Sequence, residues 1–179
     1  MWEDEELIKF STMPEKIISY VDLQGFKYKK NLEFPGLYSF WFWNKDRIAN
    51  DLKREIVVHG PEKKPQSVIW DWNLDKDLIC LYVGKSTNLQ HRLGLHLLLK
   101  TPNLYQVKSD RLIKKTTSCQ LRSGFDYLFQ EWQDINIFEL MSKRLYFSCF
   151  QETSFIKRFY MEDYLIGTLY PWFNVDSER

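Results

Sequence analysis

The feature that most constrains this chain is a pair of short apolar runs, each abutting a glycine. Residues 37–43 follow Pro35-Gly36 and carry Tyr38, Phe40, Trp41, Phe42 and Trp43, while residues 78–83 close on Gly84. Short aromatic and branched runs bounded by turn formers predict strands. A third strand is predicted at 145–150. Helices are predicted at 88–100, ending before Pro102, at 118–129, and at 155–169, ending before Pro171, because the residue ahead of a proline is pushed out of the helical region. The order strand, strand, helix, helix, strand, helix predicts an α/β (α+β) domain with a small, mainly antiparallel, three-stranded central sheet flanked by helices.

Between the first two strands lie residues 44–77, too many for a structureless connection in a compact domain. They must carry structure of their own: a short helix at 45–54 and a strand pair at 56–58 and 68–72, turned near Gly60-Pro61 and Pro65. Residues 1–34 read as a helical extension, leaving 35–179 as one domain with an insertion. No internal repeat or low-complexity segment interrupts it.

Of 179 residues, 44% are hydrophobic and 17% aromatic, enough apolar surface for a core and far from a disordered composition. No apolar run approaches the roughly 18 residues a membrane span requires, so no membrane partner is expected. The acidic start, Glu3-Asp4-Glu5-Glu6, predicts no export signal and a cytoplasmic location. Cys80, Cys119 and Cys149 show no paired spacing and are expected to be reduced and structural. A net charge of +1 means that a polyanionic partner must be held by a local patch. One such patch is visible: between Lys85 and Arg122 lie Lys85, Arg92, Lys100, Lys108, Arg111, Lys114, Lys115 and Arg122, opposed by Asp110 alone. A solvated face has such charges too, but the one-sided imbalance is what phosphate neutralisation requires.

On the last predicted helix Phe155, Phe159, Glu162, Ile166 and Leu169 share one face. A carboxylate inside an apolar stripe is costly unless a cation meets it; an internal ion pair with an arginine answers that need as well as a bound metal does. A second cluster lies where the second strand turns into the next helix. Tyr82 ends the strand, Lys85 lies at the turn, and Arg92 and His96 follow four residues apart on one side of the helix. Gly84-Lys85-Ser86 invites a nucleotide phosphate-loop reading, which fails because Ile79 stands where the loop's first glycine belongs.

Taken together, these residues resemble the GIY-YIG nuclease family. Gly36-Leu37-Tyr38 stands in the place of the first tripeptide and Tyr82-Val83-Gly84 in that of the second. Lys85, Asn88-Leu89 and Arg92 follow, then Glu162-Asp163-Tyr164-Leu165-Ile166 and Tyr170-Pro171-Trp172-Phe173-Asn174-Val175, where the family has a metal-binding glutamate on a helix followed by a proline and an asparagine. His96, one turn after Arg92, is similar to the active-site histidine of restriction-type members. The match runs from about residue 35 to 175 apart from the insertion. Leu37 and Val83 replace isoleucines, and 44 positions separate the two tyrosines, which lie much closer together in the family.

The resemblance implies a GIY-YIG-like fold and a divalent-metal-dependent DNA endonuclease. One magnesium or manganese ion would sit on Glu162 near the leaving oxygen. Tyr38 would take the proton of the attacking water, and Tyr82 and Arg92 would orient or neutralise the phosphate of double-stranded DNA. His96 would hydrogen-bond Tyr38 or the phosphate. Lys85, Arg92, Lys114, Lys115, Arg122 and Asn174 are the expected phosphate and DNA contacts. With a reference pKa near 10, only about one tyrosine in a thousand is phenolate at neutral pH, a cost of about 4 kcal/mol. Lys85, Arg92 and a metal are expected to offset much of it. A restriction-type enzyme is the first expectation, with a repair or mobile-element nuclease beside it and a catalytically inactive nucleic-acid-binding module as the rival. Cutting both strands calls for a homodimer or successive nicks.

Overall fold

A continuous apolar run has no polar face to offer water, and Gly36–Trp43 becomes the central strand of a sheet, buried along its length except at Trp43. The computed structural model describes residues 5, 18–19, 30–47, 55–59, 65–69, 76–97, 121 and 137–174. In chain order the elements are β1 (Ile18–Ser19), a 3-10 turn (Lys30–Leu32), β2 (Gly36–Trp43), β3 (Glu55–His59), β4 (Pro65–Ile69), β5 (Leu78–Ser86), α1 (Leu89–Leu97), α2 (Ile137–Arg144), β6 (Leu145–Gln151) and α3 (Phe155–Leu169). β2 pairs antiparallel with β5 on one side and β6 on the other, and β1 adds two residues beyond β6, giving the order β1-β6-β2-β5. The three long strands form an antiparallel sheet flanked by helices, an α+β architecture.

Alternation along the strands divides the core. On one face Leu37, Trp41, Cys80 and Val83 pack against Met161 and Leu165 of α3. On the other, the rings of Tyr38, Phe40 and Phe147 gather around His96 of α1. A bulge makes this division possible. Phe40 pairs with Tyr82 but Trp41 pairs with Cys80, leaving Leu81 as an extra residue on β5. Cys80 and Val83, three apart, therefore join the same face, while Tyr82 turns to the face of Tyr38.

α3 begins at Ser154, whose hydroxyl accepts from the Lys157 amide at 3.3 Å, and ends at Tyr170 in the left-handed conformation (φ 47°) ahead of Pro171. The chain then runs along the outer side of β5. Trp172 N donates to the Cys80 carbonyl at 3.3 Å and Phe173 N to that of Leu81 at 2.8 Å. An open strand edge is thereby covered.

Several expectations change. In the insertion, β3 and β4 pair antiparallel as a separate two-stranded sheet, with His59 opposite Pro65. The second strand starts at Pro65, read from sequence as part of the turn, a place a proline tolerates because a first or edge residue needs no ladder donor. The helix predicted at 45–54 does not begin as one: Lys45 and Asp46 form a turn and Arg47 has φ 54°, while 48–54 lie outside the described residues. Residues 1–34 are not uniformly helical, since Ile18–Ser19 is a strand of the main sheet. α2 was not expected; it buries Leu140 and Met141, pairs Glu139 with Lys143, and sends Arg144 to the Trp43 carbonyl at 3.1 Å. Of the helix predicted at 118–129 only Leu121 is described, helical and buried. Cys80 and Cys149 are free thiols, and Cys119 lies outside the described residues. No described helix is long and apolar enough to cross a membrane.

Candidate functional site

β2 and β5 bring the two tripeptides into register, with Tyr38 opposite Gly84. A Cβ at Gly84 would lie 2.5 Å from the Tyr38 oxygen and 2.6 Å from its ring carbon Cζ, so only glycine lets the phenol lie across the neighbouring strand. Gly36 instead lets two backbones approach, since a Cβ there would collide with the Phe150 carbonyl of β6. Tyr38 is 0% exposed and Tyr82 4%. Their ring centroids are 6.0 Å apart, and that of His96 is 5.1 Å from Tyr82.

α1 supplies the opposing polar groups. Asn88 opens it, its side chain accepting from the His91 amide at 2.9 Å. The helix then presents Arg92 and His96 one turn apart, both towards Tyr38. The Tyr38 hydroxyl lies 2.7 Å from His96 Nε2, and Arg92 Nε donates to the same oxygen at 3.4 Å. Of the two partners expected for His96, the structure gives it Tyr38.

Burial pushes the Tyr38 hydroxyl well above the usual tyrosine range; Tyr82 adds to this, and Arg92 opposes without prevailing. Burial also raises Tyr82, with Arg92 pulling it down and the Glu162 carboxylate pushing it further up. Burial disfavours the Arg92 charge, yet the two phenols outweigh it and leave the guanidinium pKa raised. Arg92 thus acts on both tyrosines in the expected direction, but removing the ring hydroxyls from water outweighs that one guanidinium.

The second cation expected beside the phenols, Lys85, is engaged elsewhere. Its ammonium pairs with Glu162 Oε2, its own backbone N–H donates to Glu162 Oε1 at 3.1 Å, and the ammonium sits 4.6 Å from the centre of the Phe159 ring. Glu162 is thus met by a lysine, not by an arginine. The arginine buried on the same helix, Arg158, donates to the carbonyls of Glu152 and Thr153 at 2.7 and 2.9 Å. The buried face of α3 is Arg158, Met161, Glu162 and Leu165. Phe155 and Phe159, expected in the apolar stripe, are 69% and 40% exposed.

Asn174, expected at a phosphate, uses both ends of its amide on the β5 edge. Its oxygen accepts from Val83 N and its nitrogen donates to Val83 O, each at 2.7 Å. Lys114, Lys115 and Arg122 lie outside the described residues. Phe159 joins the site as a partner of Lys85 beyond the residues expected from sequence, and its place three residues before Glu162, on adjoining turns of α3, is the signal for it.

No group of three or more His, Cys, Asp or Glu side chains able to hold a metal occurs among the described residues. Glu162 is the one expected ligand. A magnesium ion keeps several waters and takes one or two carboxylates plus substrate phosphate, so a single carboxylate fits that ion, and this one already holds a cation. The chain matches no protein-family model, no curated protein and no solved structure.

Proposed function

We propose that this chain is a divalent-metal-dependent DNA endonuclease, a GIY-YIG-type phosphodiester hydrolase of the restriction kind. The observation that carries this reading is the meeting of Tyr38, Tyr82, Arg92 and His96, from two strands and a helix, with the Glu162 carboxylate close enough to act on Tyr82. Phosphodiester hydrolysis needs a base, a positive charge for the equatorial oxygens and a stabiliser for the leaving oxygen. Arg92 carries the fixed charge and binds a phosphate oxygen. Tyr38 takes the proton of the attacking water while its own proton passes across the 2.7 Å contact to His96 Nε2. That transfer avoids a free phenolate, the species burial disfavours. Tyr82, hydrogen-bonded to Arg92, positions the guanidinium. Glu162 is the residue that would hold a magnesium or manganese ion, which would supply positive charge for the leaving oxygen. One such centre per chain cuts both strands as a homodimer or by successive nicks.

The burial of both phenols favours a second reading, a module that binds DNA without cutting it. Supercoiled plasmid incubated with the protein and magnesium separates the two. Nicked or linear product that vanishes with Glu162→Gln and Tyr38→Phe supports the nuclease; binding without cleavage across divalent metals and DNA sources supports the module. Protection of host-methylated plasmid alone would assign a restriction role over repair or mobile-element activity.

A further inference from the structure

We infer that Lys85 is a tethered competitor for the divalent cation at Glu162, so that the ion gains the carboxylate only when the ammonium leaves it. This rests on the nuclease reading.

Glu162 is the carboxylate at the site, and the Lys85 ammonium is on one of its oxygens while the Lys85 amide is on the other. A divalent ion at the same oxygen would face a like charge within a few ångströms, so ammonium and ion exclude one another. The ammonium is held by more than charge, because the Phe159 ring lies 4.6 Å beneath it, a cation–π contact. It is nonetheless able to go. The Lys85 side chain is 25% exposed and the Glu162 side chain 8%, so the lysine is the partner with a route to solvent. The group that draws it off is a phosphate beside Arg92, which offers an anionic oxygen without a carboxylate's need for the metal. Metal and DNA then bind cooperatively: the phosphate takes Lys85, and the ion takes Glu162. The two effects are reciprocal.

The test is the affinity for Mn2+ alone, without DNA, from the paramagnetic resonance signal of free Mn2+. The full chain is compared as wild type, Lys85→Met, Phe159→Leu, and Lys85→Met combined with Glu162→Gln. Lys85→Met is expected to bind Mn2+ about tenfold or more tightly than wild type, a coupling of ordinary size. Phe159→Leu, which loosens the ammonium without removing it, falls between them, and the combined variant loses the gain. Equal affinity in wild type and Lys85→Met, or weaker binding by the variant, overturns the inference. Should Lys85→Met fail to fold, Phe159→Leu decides in the same way. If plasmid is cleaved but Mn2+ affinity does not respond, the competitor falls and the nuclease stands. If the affinity responds but plasmid stays intact, the nuclease reading falls and the competitor stands.

Discussion

Gly84 lies so close beneath the phenol of Tyr38 that a methyl group there would stand 2.5 Å from the hydroxyl oxygen. Both groups sit on paired strands, so neither can move without shifting β2 against β5. Gly84→Ala is expected to cost about 1–3 kcal/mol by overpacking, lowering the melting temperature by roughly 2–4 °C per kcal/mol for a chain of this size. Gly94→Ala is the control. A Cβ at that helical position meets nothing within 4 Å, and the change should stabilise by about 0.4–1 kcal/mol. Thermal unfolding followed by circular dichroism checks both signs.

Alkaline stability tests the burial of the two phenols. Their folded pKa values are raised above the unfolded value. The native state therefore favours the protonated form, and the stability this contributes is complete below about pH 10 and lost as pH rises above it. Denaturant unfolding should show stability falling above that pH, with a shallower fall in Tyr38→Phe. A wild-type curve flat through pH 11 would mean the phenols are open to water.

Removing the Asn174 amide strips Val83 of two hydrogen bonds at once. Asn174→Ala should cost about 1–3 kcal/mol and speed hydrogen exchange at the Val83 amide more than at neighbouring strand amides. Asn174→Asp keeps the acceptor but sets a carboxylate oxygen against the Val83 carbonyl, so it should be worse than alanine. Equal exchange rates in all three proteins would deny the asparagine this place.

On the proposed nuclease reading, His96 is the receiver of the Tyr38 proton across their 2.7 Å contact. In His96→Ala, plasmid nicking should slow by about 10²–10⁴-fold, with Arg92→Ala at least as severe because phosphate binding is lost too. Rate constants from a nicking time course measure this. Unchanged rates in His96→Ala would place the proton's destination elsewhere.

What was legible in the sequence was whatever depended on neighbours. The runs at 37–43 and 78–83, and the helix from 155 to the residue before Tyr170-Pro171, carry their own pattern and stops. The need of Glu162 for a cation could be read from its place among apolar residues. Its partner could not, because Lys85 lies 77 positions away and only the pairing of β5 with α3 brings them together. The buried face of α3 departs from its apolar stripe for a related reason. Phe155 and Phe159 fit the helical period as well as Met161 and Leu165 do, and periodicity does not reveal that Arg158 turns inward to satisfy the carbonyls that precede the helix. The bulge at Leu81 had no signal, since one extra apolar residue in an apolar strand leaves the composition unchanged.

The segment 172–174 also decides how this molecule meets others of its kind. By laying its own backbone and an amide along β5, the chain withholds the row of donors and acceptors that a foreign strand would seek, so the sheet does not lengthen from that side. A second copy of the chain is therefore kept from adding a strand alongside residues 80–83 of β5.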